Sequence, residues 1–448
     1  MKWTGDFVRR AIGAAGGPSR DYGEISTDTR RLGIGALFVA LVGERFDGHD
    51  HLPAAREAGA AAAIVRRGTS PVAGLHLYEV SDTLIAYGQL ARARRQMVTG
   101  PVVAITGSNG KTSTKEMTAA VLRTRFRAHA TRFNLNNLVG IPQTILAAPD
   151  DTEAMVIEAG ASMAGEIGRA REIIEPSVAM ITNVAESHLE GFGSLEGVLR
   201  EKLTLVQGVP LAIVGTEPPE LATLARSRAG RLITAGLAEA DVSPAAISVG
   251  TTGEPAFGID GTEVHLPLRG AHQVGNAMLA WSLVRELGLD PQAAASALSN
   301  LVLPGGRGEL LEAGGFTIVH DAYNANPSSF KAAIATAQAM RPGRRLVFVA
   351  GSMRELGPDA WRLHQEIAER LVTLEPDLLA VVGDFVPALA PLASRLGNRL
   401  LSAQDPVELG PQLASRLEGN ELIFLKASRG VALERILPYL GVSLEASH

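Results

Sequence analysis

The chain of 448 residues has no cysteine, which excludes a disulfide framework and leads us to expect a cytoplasmic setting. It lacks any apolar run approaching the roughly eighteen residues of a membrane span. Its amino end, Met1-Lys2-Trp3-Thr4-Gly5-Asp6, has no signal-peptide core. No internal repeat or low-complexity tract is present. A net charge of −5 gives no reason to expect nucleic acid or an anionic membrane as partner, although local clusters of Arg and Lys can still serve anionic substrates. Lysine is scarce too: only six of the 42 basic residues are lysines, namely Lys2, Lys111, Lys115, Lys202, Lys331 and Lys426. A lysine kept against that bias is expected where a guanidinium cannot substitute.

What is present is an ordinary globular mixture, 46% hydrophobic and 20% charged, long enough to require two or three domains. Its most informative stretch is Ile105-Thr106-Gly107-Ser108-Asn109-Gly110-Lys111-Thr112-Ser113-Thr114. An apolar run, Pro101 to Ile105, precedes it, and Met117, Ala120 and Val121 follow at helical spacing. Strand, glycine turn and helix form a phosphate cradle. Gly107 and Gly110 let backbone N–H groups approach phosphate oxygens and the helix N-terminus adds positive potential. Lys111 supplies a point charge, and a Thr112 or Ser113 hydroxyl can reach Mg²⁺. The usual G-x-x-x-x-G-K-[ST] pattern would put its first glycine at Ile105, so this loop is a shortened form.

The order of elements predicts an α/β protein of three domains: a small N-terminal α/β unit over 1–99, a central doubly wound, mostly parallel sheet over 100–305, and a Rossmann-like domain over 306–448. Strands are expected at 36–42 and 62–65, with helices near 53–60 and 87–97. Gly100-Pro101 marks the first boundary. Central strands follow at 101–105, 154–157, 178–181 and 211–214. The pattern breaks at Leu303 to Gly308, and a second alternation has strands at 316–320, 346–350, 379–382 and 422–425.

Glu158 ends a buried strand, where open α/β sheets gather functional groups; it is either a Mg²⁺ ligand or a solvated strand-end carboxylate. His188 follows the next strand and is either structural or part of the same edge. The helix after Ser194 has a stripe at Leu195, Val198, Leu199, Leu205 and Val206, with Lys202 on that face. Lys202 either snorkels or, desolvated and neutral, adds CO₂ to give a carbamate that serves as an oxygen ligand for a second Mg²⁺.

The loop T-G-x-N-G-K-T resembles the ATP loop of the Mur ligase family, which forms peptide bonds on peptidoglycan precursors. Glu158, His188 and Lys202 fall at the positions of that family's metal-binding Glu, His and carbamylated Lys. Thr131 to Thr144, with Asn134, Asn136 and Asn137, is similar to its substrate loop, although an Asn-rich loop is also a good turn former. Gly270 to Ala277 resembles G-x-H-x-x-x-N-A, which implies that Asn276 reaches adenine. Pro304 to Glu309 resembles P-x-G-R-x-E, which implies that Arg307 faces ATP phosphates. Asp321-Ala322-Tyr323-Asn324-Ala325-Asn326-Pro327 is similar to the D-x-Y-N-A-N-P of the branch adding D-alanyl-D-alanine to a UDP-linked muramoyl tripeptide, and it extends the nucleotide-binding set to Asp321, Asn324 and Asn326. Ser26, Thr27 and Arg30, with Arg45, look like that branch's UDP-substrate loops; the arginines either neutralise diphosphate or are surface charge. Three departures stand out: Lys426-Ala427-Ser428-Arg429 replaces K-G-S-R, the D-N-P-R motif of the preceding ligase is missing, and Ala161-Ser162-Met163 stands where some relatives carry Asn-His.

The resemblance implies an ATP-dependent amide ligase of peptidoglycan synthesis, hence of cell-wall growth, shape and division. Its substrates would be UDP-MurNAc-tripeptide and D-Ala-D-Ala and its cofactors ATP and Mg²⁺, with two metal sites and a carbamylated Lys202. A monomer is expected, with a third domain that stays open until ligands close it. Two rivals remain: a folylpolyglutamate synthetase of the same superfamily, which should lack the Asp321-to-Pro327 segment, and a nucleotide-gated binding module.

Overall fold

The computed structural model describes residues 3–14, 18 and 20–443. Lys2 and the outermost ends of the first and third expected domains lie outside that set. By internal contacts the chain forms two compact units: Met1–Ile105 with Phe126–Ala161 and Gly165–Ala179, and Thr106–Arg125 with Ser162–Ala164 and Met180–His448.

The first unit holds a four-stranded parallel sheet ordered Ile25–Ser26, Leu37–Val39, Ala62–Arg66, His76–Val80. Phe38, Ala63 and Val65 bury one face against Leu52 and Ala55. The strand expected at 36–42 stops at Val39. The chain then forms an antiparallel hairpin, Val42–Gly43 with Phe46–Asp47, that carries Arg45. Gly48 permits this turn, because a Cβ there would lie 2.7 Å from the Leu41 carbonyl oxygen. The same unit holds a second parallel set in which Ala154–Glu158 lies between Ala128–Ala130 and Val102–Thr106. Runs such as Val102-Val103-Ala104-Ile105 are fully buried, as strands covered on both faces must be.

In the second unit, helix Lys111–Arg123 packs along helix His272–Leu287. Leu211–Val214 pairs in parallel with Arg231–Thr234. A three-stranded antiparallel sheet, Ala246–Val249, Pro255–Ile259 and Thr262–His265, was not foreseen, since its outer strand is exposed along its whole length and shows no buried run. The last sheet is ordered Glu309–Ala313, Phe316–Asp321, Glu421–Lys426, Arg345–Ala350, Leu378–Val382, Leu400–Ala403, with only the first strand antiparallel. Sheet order departs from chain order when Glu421–Lys426 inserts between the strands ending at Asp321 and Ala350. That switch gathers three loops at the carboxyl ends of adjacent strands.

Leu195 does not join the buried stripe: it opens the first turn after the Ser194 cap and is 36% exposed. The α-helix ends at Leu203 and tightens into a 3₁₀ turn over Thr204–Val206. Leu205 and Val206 are buried by that turn, not by continued α-helical phase. Among the described residues no helix is long and apolar enough to cross a membrane.

Candidate active site

The strand Val102–Thr106 runs directly into the shortened loop. Gly107 has φ 154°, and a Cβ there would lie 1.8 Å from Thr182 Oγ1. Gly110 has φ 75° and caps helix Lys111–Arg123; a Cβ there would lie 2.3 Å from Asn276 Oδ1. Both glycines are therefore required by space as well as by backbone conformation.

The loop is clamped by the end of the next strand, Val178–Ile181. Ser108 N–H donates to the Asn183 carbonyl and Asn109 N–H to Asn183 Oδ1, both at 3.0 Å. Thr182 Oγ1 donates to the Asn109 carbonyl at 2.5 Å. Ser108 Oγ donates to the Ala185 carbonyl and meets Ser187 Oγ, both at 2.9 Å. The Ser108 and Asn109 amides, expected to face phosphate, are thus bonded to Asn183, and their work is to fix the loop's shape. Lys111 Nζ folds back on the Gly107 and Ser108 carbonyls at 2.7 and 3.3 Å. Thr112 and Ser113 are buried in the first helical turn.

Lys202 is 2% exposed. Burial, with the Lys111 ammonium adding to it, holds its amine well below the ordinary lysine range. Burial and the field of Lys111 thus both disfavour a charged ammonium at Lys202. A neutral amine is the form that could add CO₂, and the resulting carbamate anion would be attracted by the Lys111 ammonium.

His188 adopts left-handed backbone, φ 52°, before the short helix Leu189–Phe192. Its Nδ1 faces the Glu355 carboxylate, and that contact holds the Glu355 carboxyl below its usual range. Glu355 is also left-handed, with φ 64°. Two strained non-glycine residues thus meet, as happens where surrounding structure over-determines a site.

In the second unit the nucleotide-type blocks come together. Asn276 donates to Gln273 Oε1 at 3.0 Å and borders Gly110, so its side chain lies at the phosphate end of the loop; the resemblance had implied adenine. The surrounding protein desolvates the His272 ring and keeps its imidazole pKa low although the residue is exposed at the surface, and it feels the opposing charges of Asp321 and Lys426. Arg307 stacks on the Tyr323 ring with 3.8 Å from its guanidinium carbon to the centroid. Asn324 Oδ1 accepts its neighbour's N–H. Asn326 has two tasks. Its Oδ1 accepts from Ser329 N–H in a capping box that starts helix Pro327–Met340, and its Nδ2 donates to Asn109 Oδ1 at 2.8 Å. The third segment, expected to stay open, is therefore engaged with the phosphate loop.

In the first unit Glu158 is 2% exposed and is registered against Ile105, two residues before Gly107. Its carboxylate accepts from Asn136 Nδ2 at 2.8 Å, and its N–H donates to Thr131 Oγ1 at 3.0 Å. Asn137 Oδ1 accepts from Val139 and Gly140 N–H groups, so it shapes the turn, while Asn134 is exposed. Ser26 is bonded to the Asp28 backbone and Thr27 is half-buried. Arg30 is exposed but bonded through two nitrogens to Asp28, whose carboxyl it lowers to about 2. Arg45 is exposed.

The sequence reading missed Thr182, Asn183 and Glu355. Thr182 and Asn183 directly follow a strand, which is their only local signal. No group of three His, Cys, Asp or Glu residues gathers among the described residues. Mg²⁺ does not demand one, since it is held by one or two carboxylates together with substrate phosphates.

Family models match in succession: the Mur ligase family catalytic domain over residues 21–95, the Mur ligase middle domain over 105–284 and the Mur ligase glutamate ligase domain over 306–429. The UDP-N-acetylmuramoyl-tripeptide–D-alanyl-D-alanine ligase of Bacillus subtilis is 37% identical over 92% of each chain. The crystal structure of MurF from Acinetobacter baumannii matches with a TM-score of 0.89 at 30% identity, covering 98% of this chain and 99% of that one. The MurF ligase of Thermotoga maritima, solved with ADP, gives 0.81 at 29% identity over 93% and 96%.

The glycine geometry makes one prediction. Gly110→Ala must hold a Cβ against Asn276 in left-handed backbone, a strain of ~1–3 kcal/mol, so ADP affinity by calorimetry should fall at least about fivefold; affinity within twofold of the parent would contradict the geometry.

Proposed function

Since the chain belongs to the Mur ligase family, we propose that it is the ATP-dependent ligase that joins D-Ala-D-Ala to UDP-MurNAc-tripeptide. The products are UDP-MurNAc-pentapeptide, ADP and phosphate, in peptidoglycan synthesis. The observation that carries this reading is the 2.8 Å bond from Asn326 to Asn109, which sets the segment distinguishing this branch on the phosphate loop. Similarity over 92% of the chain to relatives bearing that activity's name favours it over a folylpolyglutamate synthetase or a nucleotide-gated module. We assign the domains as 1–99, 100–305 and 306–448, the first holding the UDP moiety, and the protein as a cytoplasmic monomer.

A carboxylate does not accept an amine until one oxygen becomes a good leaving group. Transfer of the γ-phosphoryl group of ATP to the tripeptide carboxylate gives an acyl phosphate and ADP. The D-Ala-D-Ala amine attacks its carbonyl carbon, the amine loses a proton, and the tetrahedral intermediate collapses with expulsion of phosphate. Lys111 leaves the loop carbonyls to meet the phosphates, and the N-terminus of helix Lys111–Arg123 adds its positive end. Arg307, braced on Tyr323, supplies further positive charge to the nucleotide. Asn276, Asp321, Asn324 and Asn326 orient it. Asn134, Asn136 and Asn137 face the sugar-peptide, with Asn136 also orienting Glu158. Ser26, Thr27, Arg30 and Arg45 form the set assigned to the UDP moiety. Thr112 and Glu158 would hold one Mg²⁺, and His188 with carbamylated Lys202 another; metal ions bound there would neutralise charge on the phosphoryl group.

Two outcomes test this reading. Phosphate release from ATP should require UDP-MurNAc-tripeptide and D-Ala-D-Ala together, with the joined product seen by mass; release with either alone, and no joined product, would refute it. Lys202→Ala should lose turnover by orders of magnitude, since metal-assisted charge stabilisation is worth several kcal/mol, and should recover with added short carboxylic acids. Full activity without them would rule out the carbamate.

A further inference from the structure

Lys426 and Ser428 remain without an assigned task, and both are buried, at 3% and 4% exposure. Lys426 ends the inserted strand Glu421–Lys426 and Ser428 follows two residues later, between the two loops that leave the adjacent strands at Asp321 and Ala350. Lys426 Nζ donates to Asp321 Oδ2 at 2.7 Å and to the Asn324 carbonyl at 2.9 Å, fixing the first loop. The Lys426 carbonyl accepts from Gly351 N–H at 2.9 Å, and Ser428 N–H donates to the Ser352 carbonyl at 3.1 Å, fixing the second. Ser428 Oγ does both: it donates to the Ala325 carbonyl at 3.3 Å and accepts from Arg354 N–H at 2.9 Å.

Each loop leads, one residue beyond its bond to Ser428, to a contact near the phosphate loop. Beyond Ala325 comes Asn326, bonded to Asn109. Beyond Arg354 comes Glu355, whose side chain faces His188 and whose carbonyl accepts from Glu190 N–H at 3.4 Å. We propose that Ser428 is a positioning residue whose hydroxyl couples these two contacts, so that the Asn326 and Glu355 loops engage as one body. Lys426 supports the same joint from the Asp321 side. A buried hydroxyl using donor and acceptor on two different loops transmits position between them, which a bond within either loop could not do.

The role in ligation rests on the proposed function, but the coupling does not, and hydrogen exchange reads it directly. In Ser428→Ala, exchange at Arg354 and at the remote Glu190 amide should both accelerate about tenfold, as expected for one lost hydrogen bond of ordinary strength. The KM for ATP should rise about tenfold with kcat changed less than about threefold, as for lost preorganisation before binding. Ser428→Thr, which keeps the hydroxyl, should restore both readouts to within about twofold. Faster exchange confined to Arg354, with Glu190 unchanged, would overturn the coupling. If the Ala chain does not fold, Ser428→Cys keeps the volume but weakens both bonds, and parental exchange at Glu190 in that variant would overturn it equally. Should the parent protein form no joined product, the ligase reading fails while the exchange result still decides the joint.

Discussion

The clamp that Asn183 and Thr182 place on the backbone at Ser108 and Asn109 is the constraint on which the rest of the site depends. Donors and acceptors of two strand ends close on one another within about 3 Å, and Gly107 is the residue that permits the approach. A loop shortened relative to the usual P-loop has fewer bonds of its own to define its shape, and the neighbouring strand end supplies them. The helix N-terminus and Thr112 then face a fixed direction. Preorganisation of this kind is the main resource in phosphoryl transfer, where the protein contributes positioning and charge.

The scarcity of lysine acquires a physical meaning around that loop. Lys111 lies on the loop carbonyls, Lys202 is buried close enough to feel Lys111, and Lys426 holds the Asp321 loop with a compact, buried ammonium. An arginine at Lys202 could not become a neutral amine. At Lys426 a planar fork would have to replace a point donor that meets Asp321 Oδ2 and the Asn324 carbonyl in a space with almost no exposure.

Much of this was legible in the sequence because the strands are buried on both faces. Runs such as Ala154-Met155-Val156-Ile157 and Leu346-Val347-Phe348-Val349 have no competing periodicity, and their ends locate Glu158 and the loop that carries Glu355. The antiparallel sheet over 246–265 was illegible because its exposed strand offers no apolar run. The failure at Leu195 came from extending α-helical phase through a cap at one end and a 3₁₀ turn at the other. Glu355 was hidden for another reason. It lies 167 residues after His188 in the chain, and only the insertion of Glu421–Lys426 into the sheet order, together with the Ser428 bridge, fixes its loop beside the loop that carries Asn326.

In the proposed reaction the loop and its lysine deliver the γ-phosphoryl group to a carboxylate. Oxygen tracing tests it most directly. With ¹⁸O in the reacting carboxylate of UDP-MurNAc-tripeptide, one labelled oxygen should appear in the released phosphate for each bond formed. Phosphate free of label, with product still made, would contradict an acyl phosphate and with it the delivery of that group by the loop.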